Sequence, residues 1–269
     1  MLISNNNSKE REHYLANKRR KRNFIMTVQV GFVVFVVLFW ELLAWLGIID
    51  SFIMSSPSRM FKTIFSLGEN NFLKHIFVTV YETVAGFSFG AVLGILIATV
   101  LWWSKTLTQI AEPFLVVLNS LPKVALGPII IIWVGAGTKA IIVMALAISL
   151  VVTILDMLSG FNSTDMDKIR MARTFGANRR QIFTKIVFPS NIDTLFNSLK
   201  INIGLSLVGV ISGEFLVSKA GLGYLIVYAG QVFKMDIVMA SVLILGIVAA
   251  LMYKCVCLAQ NLVRKKLAH

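Results

Sequence analysis

The sequence is poor in the residues that carry most protein chemistry. It has only two cysteines, Cys255 and Cys257, and they sit at alternate positions of one apolar run, where they do not share a helix face. Neither a disulfide nor a metal site is expected from them. The three histidines, His13, His75 and His269, fall outside the long apolar stretches, which argues against an enzyme with a nucleophile and base at membrane depth. No Gly-rich loop ending in Gly-Lys-Ser/Thr occurs, so the chain itself is not expected to bind or hydrolyse ATP. Charge is scarce as well, at 14% of residues, with 13 acidic against 26 basic side chains.

Apolar side chains, by contrast, make up 57% of the 269 residues and the mean hydropathy is +0.79. Globular packing cannot hide that much apolar surface from water, so lipid is the expected solvent. A bilayer core about 30 Å thick takes roughly 20 apolar residues per helix. Six stretches qualify: Phe24–Leu46, Phe77–Trp103, Phe114–Val134, Ala140–Leu158, Leu195–Val217 and Ile237–Leu258. The expected fold is therefore an all-α polytopic membrane protein with six transmembrane helices. The first stretch is too long for a signal-peptide apolar region and lacks a small-residue cleavage site, so it reads as a retained anchor.

The net charge of +13 reflects membrane orientation and not nucleic-acid binding. Seven basic residues lie in Lys9–Arg22, six in Lys168–Lys185 and three in Arg264–Lys266, against six in the loops between. The bias places both termini in the cytoplasm, with residues 1–23 as a basic tail against anionic lipid and residues 24–269 as the six-helix domain.

Three features interrupt the apolar runs. Gly86, Gly90 and Gly94 recur every four residues and predict a packing seam on one helix face. Gly209 and Gly213 predict a second one, plausible at an interface between two copies of the chain. In the third stretch, Asn119-Ser120-Leu121-Pro122-Lys123 and Gly127-Pro128 interrupt the backbone ladder twice. Either the helix breaks at membrane depth with Lys123 turned inward, or it starts near Thr106 and ends at Leu121, leaving Pro122–Pro128 as a turn near one surface. Glu214, with Ser206 and Ser212, either lines a path or holds a helix contact. Asn119, Pro122, Lys123, Ser206 and Glu214 are the candidate path residues.

The largest polar insert, Asp156–Thr194, carries apolar residues at Ile169, Ala172, Phe175, Ile182 and Ile186. It reads as two short amphipathic helices. Ser163-Thr164-Asp165 caps the first and Gly176 stops it; the second runs from about Arg179 and ends before Pro189. Such a basic hairpin can simply lie on anionic lipid.

Its residues carry a more specific signal. Arg170-Met171-Ala172-Arg173-Thr174-Phe175-Gly176, nine residues, then Ile186-Val187-Phe188-Pro189 resembles the cytoplasmic signature of binding-protein-dependent ABC import permeases, Glu-Ala-Ala, three residues, Gly, nine residues, Ile, any residue, Leu, Pro. Arg170, Met171 and Phe188 depart from Glu, Ala and Leu. Leu121–Pro128, Gly213-Glu214-Phe215 and Gly221-Leu222-Gly223-Tyr224-Leu225-Ile226 are similar to the branch importing nitrate, sulfonates, taurine and thiamine precursors.

The resemblance implies a type I ABC importer permease fold in a bacterial inner membrane. Residues 163–190 would form a cytoplasmic coupling hairpin that docks on a separate ATPase through Arg170, Met171, Ala172, Arg173, Gly176, Ala177, Ile186 and Pro189. It also implies an extracytoplasmic solute-binding protein, a second copy of the chain, no cofactor on this chain, and ATP with magnesium used by the partner ATPase. An ion-coupled secondary transporter is the alternative, since a broken third span with Lys123 suits one; it leaves the hairpin unexplained.

Overall fold

A computed structural model describes residues 2–66 and 71–267. They fall into two compact units that divide between Phe65 and Ser66. In the first unit a single helix, α1 (Leu2–Trp45), runs through the basic tail and the first apolar stretch without a break. Short helices α2 (Ser51–Met54) and α3 (Pro57–Phe65) follow. Asp50 caps α2 by accepting from the Phe52 N–H at 2.8 Å, and Pro57 opens α3, where a missing N–H costs nothing. The Ser58 N–H donates to Glu41 Oε2 at 3.0 Å and ties α3 back to α1.

The second unit is a helical bundle around one central element. Helix α4 spans Phe72–Trp103, and α5 (Lys105–Ser120) starts at once, capped by Ser104. A 3-10 turn at Lys123–Leu126 and helix α6 (Gly127–Val134) follow. Helix α7 (Thr138–Asn162) leads into α8 (Met166–Thr174), α9 (Arg179–Ile182), a π turn at Phe183–Val187 and α10 (Phe188–Ser190). The chain ends in α11 (Ile192–Val217), α12 (Leu222–Gln231) and α13 (Met235–Leu267). Five helices are long and apolar enough to cross a membrane, and six spans result if α5 and α6 are one broken span.

Helix α7 is the centre because small residues let two neighbours approach it. A Cβ added at Gly86 would lie 2.5 Å from the Ala145 Cβ, one at Gly94 2.6 Å from the Thr153 Cβ, and one at Gly90 would collide with Ser149. The glycine seam of α4 therefore meets Ala145, Ser149 and Thr153 of α7, which repeat at the same spacing of four. Gly209 and Gly213 of α11 pack on the opposite neighbour of that seam: an added Cβ at Gly209 would sit 2.8 Å from the Ala145 Cα, and one at Gly213 3.2 Å from the Ile141 Cα. The second seam is thus spent inside the chain, against α7, and not between copies. Some polar groups inside the bundle are paired locally, while Glu82, Ser206 and Ser241 keep buried oxygens without a hydrogen-bond partner among the described residues. Asn202 Nδ2–H donates to Thr153 Oγ1 at 2.8 Å, and the Thr153 hydroxyl donates to the Ser149 carbonyl at 2.9 Å.

The third span resolves as a sharp break. Helices α5 and α6 meet at 88°, because Pro122 and Pro128 withhold the amide hydrogens that a continuous helix would use. The start at Lys105 and end at Ser120 match the earlier-helix alternative; the apolar run then resumes as α6.

Candidate functional site

The hairpin between α7 and α11 is anchored by apolar side chains that fill the ends of α4 and α7. Asp165 caps α8 through the Asp167 N–H at 2.9 Å. Asn178 and Gln181 form a reciprocal capping box at α9, both contacts at 2.8 Å, so one orphan amide hydrogen is satisfied at the start of α8 and two at that of α9. From this frame Ile169, Ile182, Phe183 and Val187 enter one core with Ala98, Leu101, Met157, Leu158 and Phe161. Phe183 is the hub, with ring centroids 5.0 Å from Trp102, 5.6 Å from Trp103 and 5.3 Å from Phe161. Asn191 closes the base, its Nδ2 donating to Thr164 Oγ1 at 2.9 Å and to the Val187 carbonyl at 2.8 Å.

Pro189 does not end the second helix. The π turn widens the backbone just before it, and the chain continues as α10 to Ser190; a π bulge supplies the slack that a proline ring needs against the preceding turn. The reading that the helix stops before Pro189 is corrected accordingly.

The tip has a different character. Met171 is 60% and Phe175 83% exposed, and Arg170, Arg173 and Gly176 are exposed with them. Arg170 pairs with Asp167 at 3.4 Å. Gly176 turns the chain at φ +78°, with open space where a Cβ would stand. Ala172 and Ala177 are only half-exposed and pack on the apolar core, while Ile186 and Pro189 are half-buried at the base. Phe175 leaves the apolar face predicted for it because α8 ends at Thr174 and the helical period ends with it.

The candidate path residues form two groups. At the break, Lys123 Nζ donates to the Asn119 carbonyl at 3.0 Å and to Asn119 Oδ1 at 3.1 Å, and Pro122 lies between them. The ammonium thereby caps the carbonyl end of α5, where the helix dipole favours a cation. Glu214 lies elsewhere, fully buried near the end of α11. It accepts from the Thr79 hydroxyl at 2.6 Å and from the Gly223 N–H at 2.5 Å. Thr79 Oγ1 accepts from the Leu222 N–H at 2.8 Å, and His75 Nδ1 from the Gly221 N–H at 2.9 Å. Three amide hydrogens that α12 leaves unpaired at its start are thus satisfied from α4 and α11. Ser206 is buried two turns before Glu214 on α11.

Residues Thr79 and Glu82, both fully buried, and His75 escape a reading based on motif spacing. Their positions carried a signal: Thr79, Thr83, Gly86, Gly90 and Gly94 follow each other by three or four residues, so they lie on the same face as the glycine seam.

This architecture and hairpin can be compared with known proteins. The pattern of binding-protein-dependent transport system inner membrane components matches residues 90–269. The chain belongs to that family. Among curated relatives, a probable ABC transporter permease protein of Haemophilus influenzae is 26% identical over 81% of this chain and 89% of its own length. The formylaminopyrimidine transport permease protein ThiX of Halalkalibacterium halodurans is 26% identical, over 76% and 81%. The taurine transport system permease protein TauC of Escherichia coli is 24% identical, over 84% and 85%. Among solved structures, an inward-facing MetNI methionine ABC transporter aligns with a TM-score of 0.64 at 18% identity, covering 71% of this chain and 95% of that one. A bacterial ABC transporter that imports alginate aligns at 0.63 and 16% identity, covering 91% and 97%.

The permease therefore has the type I importer fold, and it is the multi-pass translocation subunit of an ABC importer, not the catalyst. Subunits of this family work with a separate ATPase and a solute-binding protein. The family sets aside the secondary-transporter alternative, which gave the hairpin no role.

Proposed function

We propose that this permease carries a small solute, of the sulfonate, taurine, nitrate or thiamine-precursor kind, through a dimer of two copies, with residues 163–190 as the cytoplasmic segment that couples it to the ATPase. The observation that supports the coupling role most is the division of labour in the hairpin. Its base is wedged into the ends of α4 and α7 by Phe183 and its aromatic neighbours, and its tip presents Met171, Phe175 and the unobstructed Gly176. Exposed apolar side chains of this size ringed by arginines suit a partner groove, and a rigid base passes displacement of the tip into the bundle.

In this reading both termini are cytoplasmic, residues 1–23 are the basic tail facing the anionic headgroups, and residues 24–269 make the permease domain. Transport proceeds by alternating access, with ATP and magnesium used by the partner. Met171, Arg173, Phe175 and Gly176 touch the ATPase; Ala172, Ala177, Ile186 and Pro189 hold the tip in place, and Arg170 is restrained by Asp167. Asn119, Pro122 and Lys123 shape the path at the break, whereas Glu214 and Ser206 hold helix contacts.

The test is affinity purification of the tagged chain from its native membrane with identification of the co-purifying subunits. An ATPase and a solute-binding protein are expected with the wild type. Gly176→Leu meets no neighbour on its own chain and pays only the left-handed backbone penalty of roughly 1–2 kcal/mol at an exposed turn, so insertion and yield should persist while ATPase retention and transport fall by at least about tenfold, the loss of roughly 1.4 kcal/mol of docking energy. Normal transport by that variant would refute the coupling role.

A further inference from the structure

Between the α4–α5 corner and the hairpin, two adjoining cavities of about 680 and 250 Å³ share Lys105, Arg173, Arg179 and Ile182, and the larger reaches the tip at Gly176 and Ala177. Trp103 lines the larger and Trp102 the smaller. Among the described residues no acidic side chain lines either one. The Arg179 guanidinium is held by Trp102, 5.7 Å above its ring centroid, with Nη2–H reaching the Trp102 carbonyl at 3.5 Å. Lys105 opens α5 immediately after α4 ends at Trp103 and Ser104.

Depth and chemistry point to the same occupant. A tryptophan pair that closes a membrane-spanning helix sits at the headgroup level, so the cavity mouth lies where lipid phosphates are. Three cations without a counter-ion suit a phosphodiester, which two arginines can grip through parallel N–H donors. The indole rings and Ile182 suit the glycerol and first acyl carbons below it, surface that a protein carboxylate would leave uncovered. Basic pockets between membrane helices facing an anionic leaflet bind headgroups on these terms. We propose that the Lys105–Arg173–Arg179 cavity is a binding site for the headgroup of one anionic phospholipid, which braces the α4–α5 corner against the hairpin. The site shares Arg173 with the tip proposed to meet the ATPase, so the test changes Lys105 and Arg179, leaves Arg173 in place and uses the permease alone.

Native mass spectrometry of the full chain in detergent, titrated with phosphatidylglycerol or phosphatidylcholine, reads the site directly. Wild type should retain one phosphatidylglycerol in clear preference to phosphatidylcholine. K105Q/R179Q should weaken that retention by about thirtyfold, the effect of two basic residues near an anionic headgroup, and K105R/R179K should restore it. Equal retention of the two lipids by wild type, or unchanged preference in K105Q/R179Q, would overturn the proposal. So would displacement of the lipid by millimolar inorganic phosphate, which would make the ligand a free anion. Loss of a co-purifying ATPase by K105Q/R179Q with lipid retention intact would assign the cations to the protein partner instead and overturn it equally. If K105Q/R179Q does not fold, the wild-type preference between the two lipids decides.

Discussion

Two glycines with left-handed backbones turn the chain at two places in the bundle, and their surroundings are opposites. Gly221 has φ +116° and Gly176 φ +78°. At Gly221 the Glu214 carboxylate occupies the space a Cβ would need, while at Gly176 that space is open. The first turn is closed by bonds to the side chains of Thr79, His75 and Glu214; the second is closed by local backbone bonds alone, from the Gly176 N–H to the Arg173 carbonyl at 2.9 Å and from the Ala177 N–H to the Ala172 carbonyl at 3.0 Å. A positive φ therefore marks two kinds of glycine. One is required by what the chain itself packs there, the other leaves clearance for something else.

The comparison is broken most severely by removing the carboxylate. Glu214→Ala orphans the buried Thr79 hydroxyl and Gly223 N–H, at about 1–3 kcal/mol for each unsatisfied donor. It should lower the thermal midpoint in detergent more than any change at the hairpin tip; a midpoint within a degree of wild type would show that water takes over the bonds. Next comes the matched pair Gly221→Ala and Gly176→Ala. Both pay the left-handed penalty of roughly 1–2 kcal/mol, but only Gly221→Ala adds overpacking of about 1–3 kcal/mol. Thermal denaturation should rank Gly221→Ala well below Gly176→Ala, and equal midpoints would dissolve the distinction. The smallest effect is expected at the clasp between α11 and α13. Arg264 grips Asp193 with two bonds of 2.8 and 2.6 Å, yet both side chains are more than half exposed. Arg264→Gln should leave the thermal midpoint close to that of wild type, and a large drop would mean that the pair is sheltered in the membrane interface.

Much of this bundle is readable from sequence where a residue's role depends on its own helix. The Gly86-Gly90-Gly94 seam, the Asp165 cap and the Gly176 turn follow from spacing and backbone chemistry, and the structure places them as that chemistry requires. What a single helix does not encode is the identity of the neighbour. Gly209 and Gly213 signal close approach, but only the fold shows that Ala145 and Ile141 of the same chain fill it. The side chain of Phe175 follows an apolar pattern in sequence and still points to solvent, because the helix that would have turned it inward stops one residue earlier. The docking residues suggested by the family signature divide the same way: the small size of Ala172 and Ala177 fits a partner cleft and a core equally well, and in the structure both rest partly buried against the core.

The uninterrupted length of α7 has a mechanical meaning. Its first turns pack on the Gly213 end of α11 and its last residue leads directly into the hairpin. A helix of 25 residues is about 37 Å long, so a tilt of about 5° moves its far end by roughly 3 Å. Both flanking helices touch it through small residues, a surface with few protrusions to hold it at one angle. In the coupling role proposed for the hairpin, α7 would serve as a lever arm between two smooth bearings, carrying a push at one end of the bundle to the other as a displacement the width of an atom.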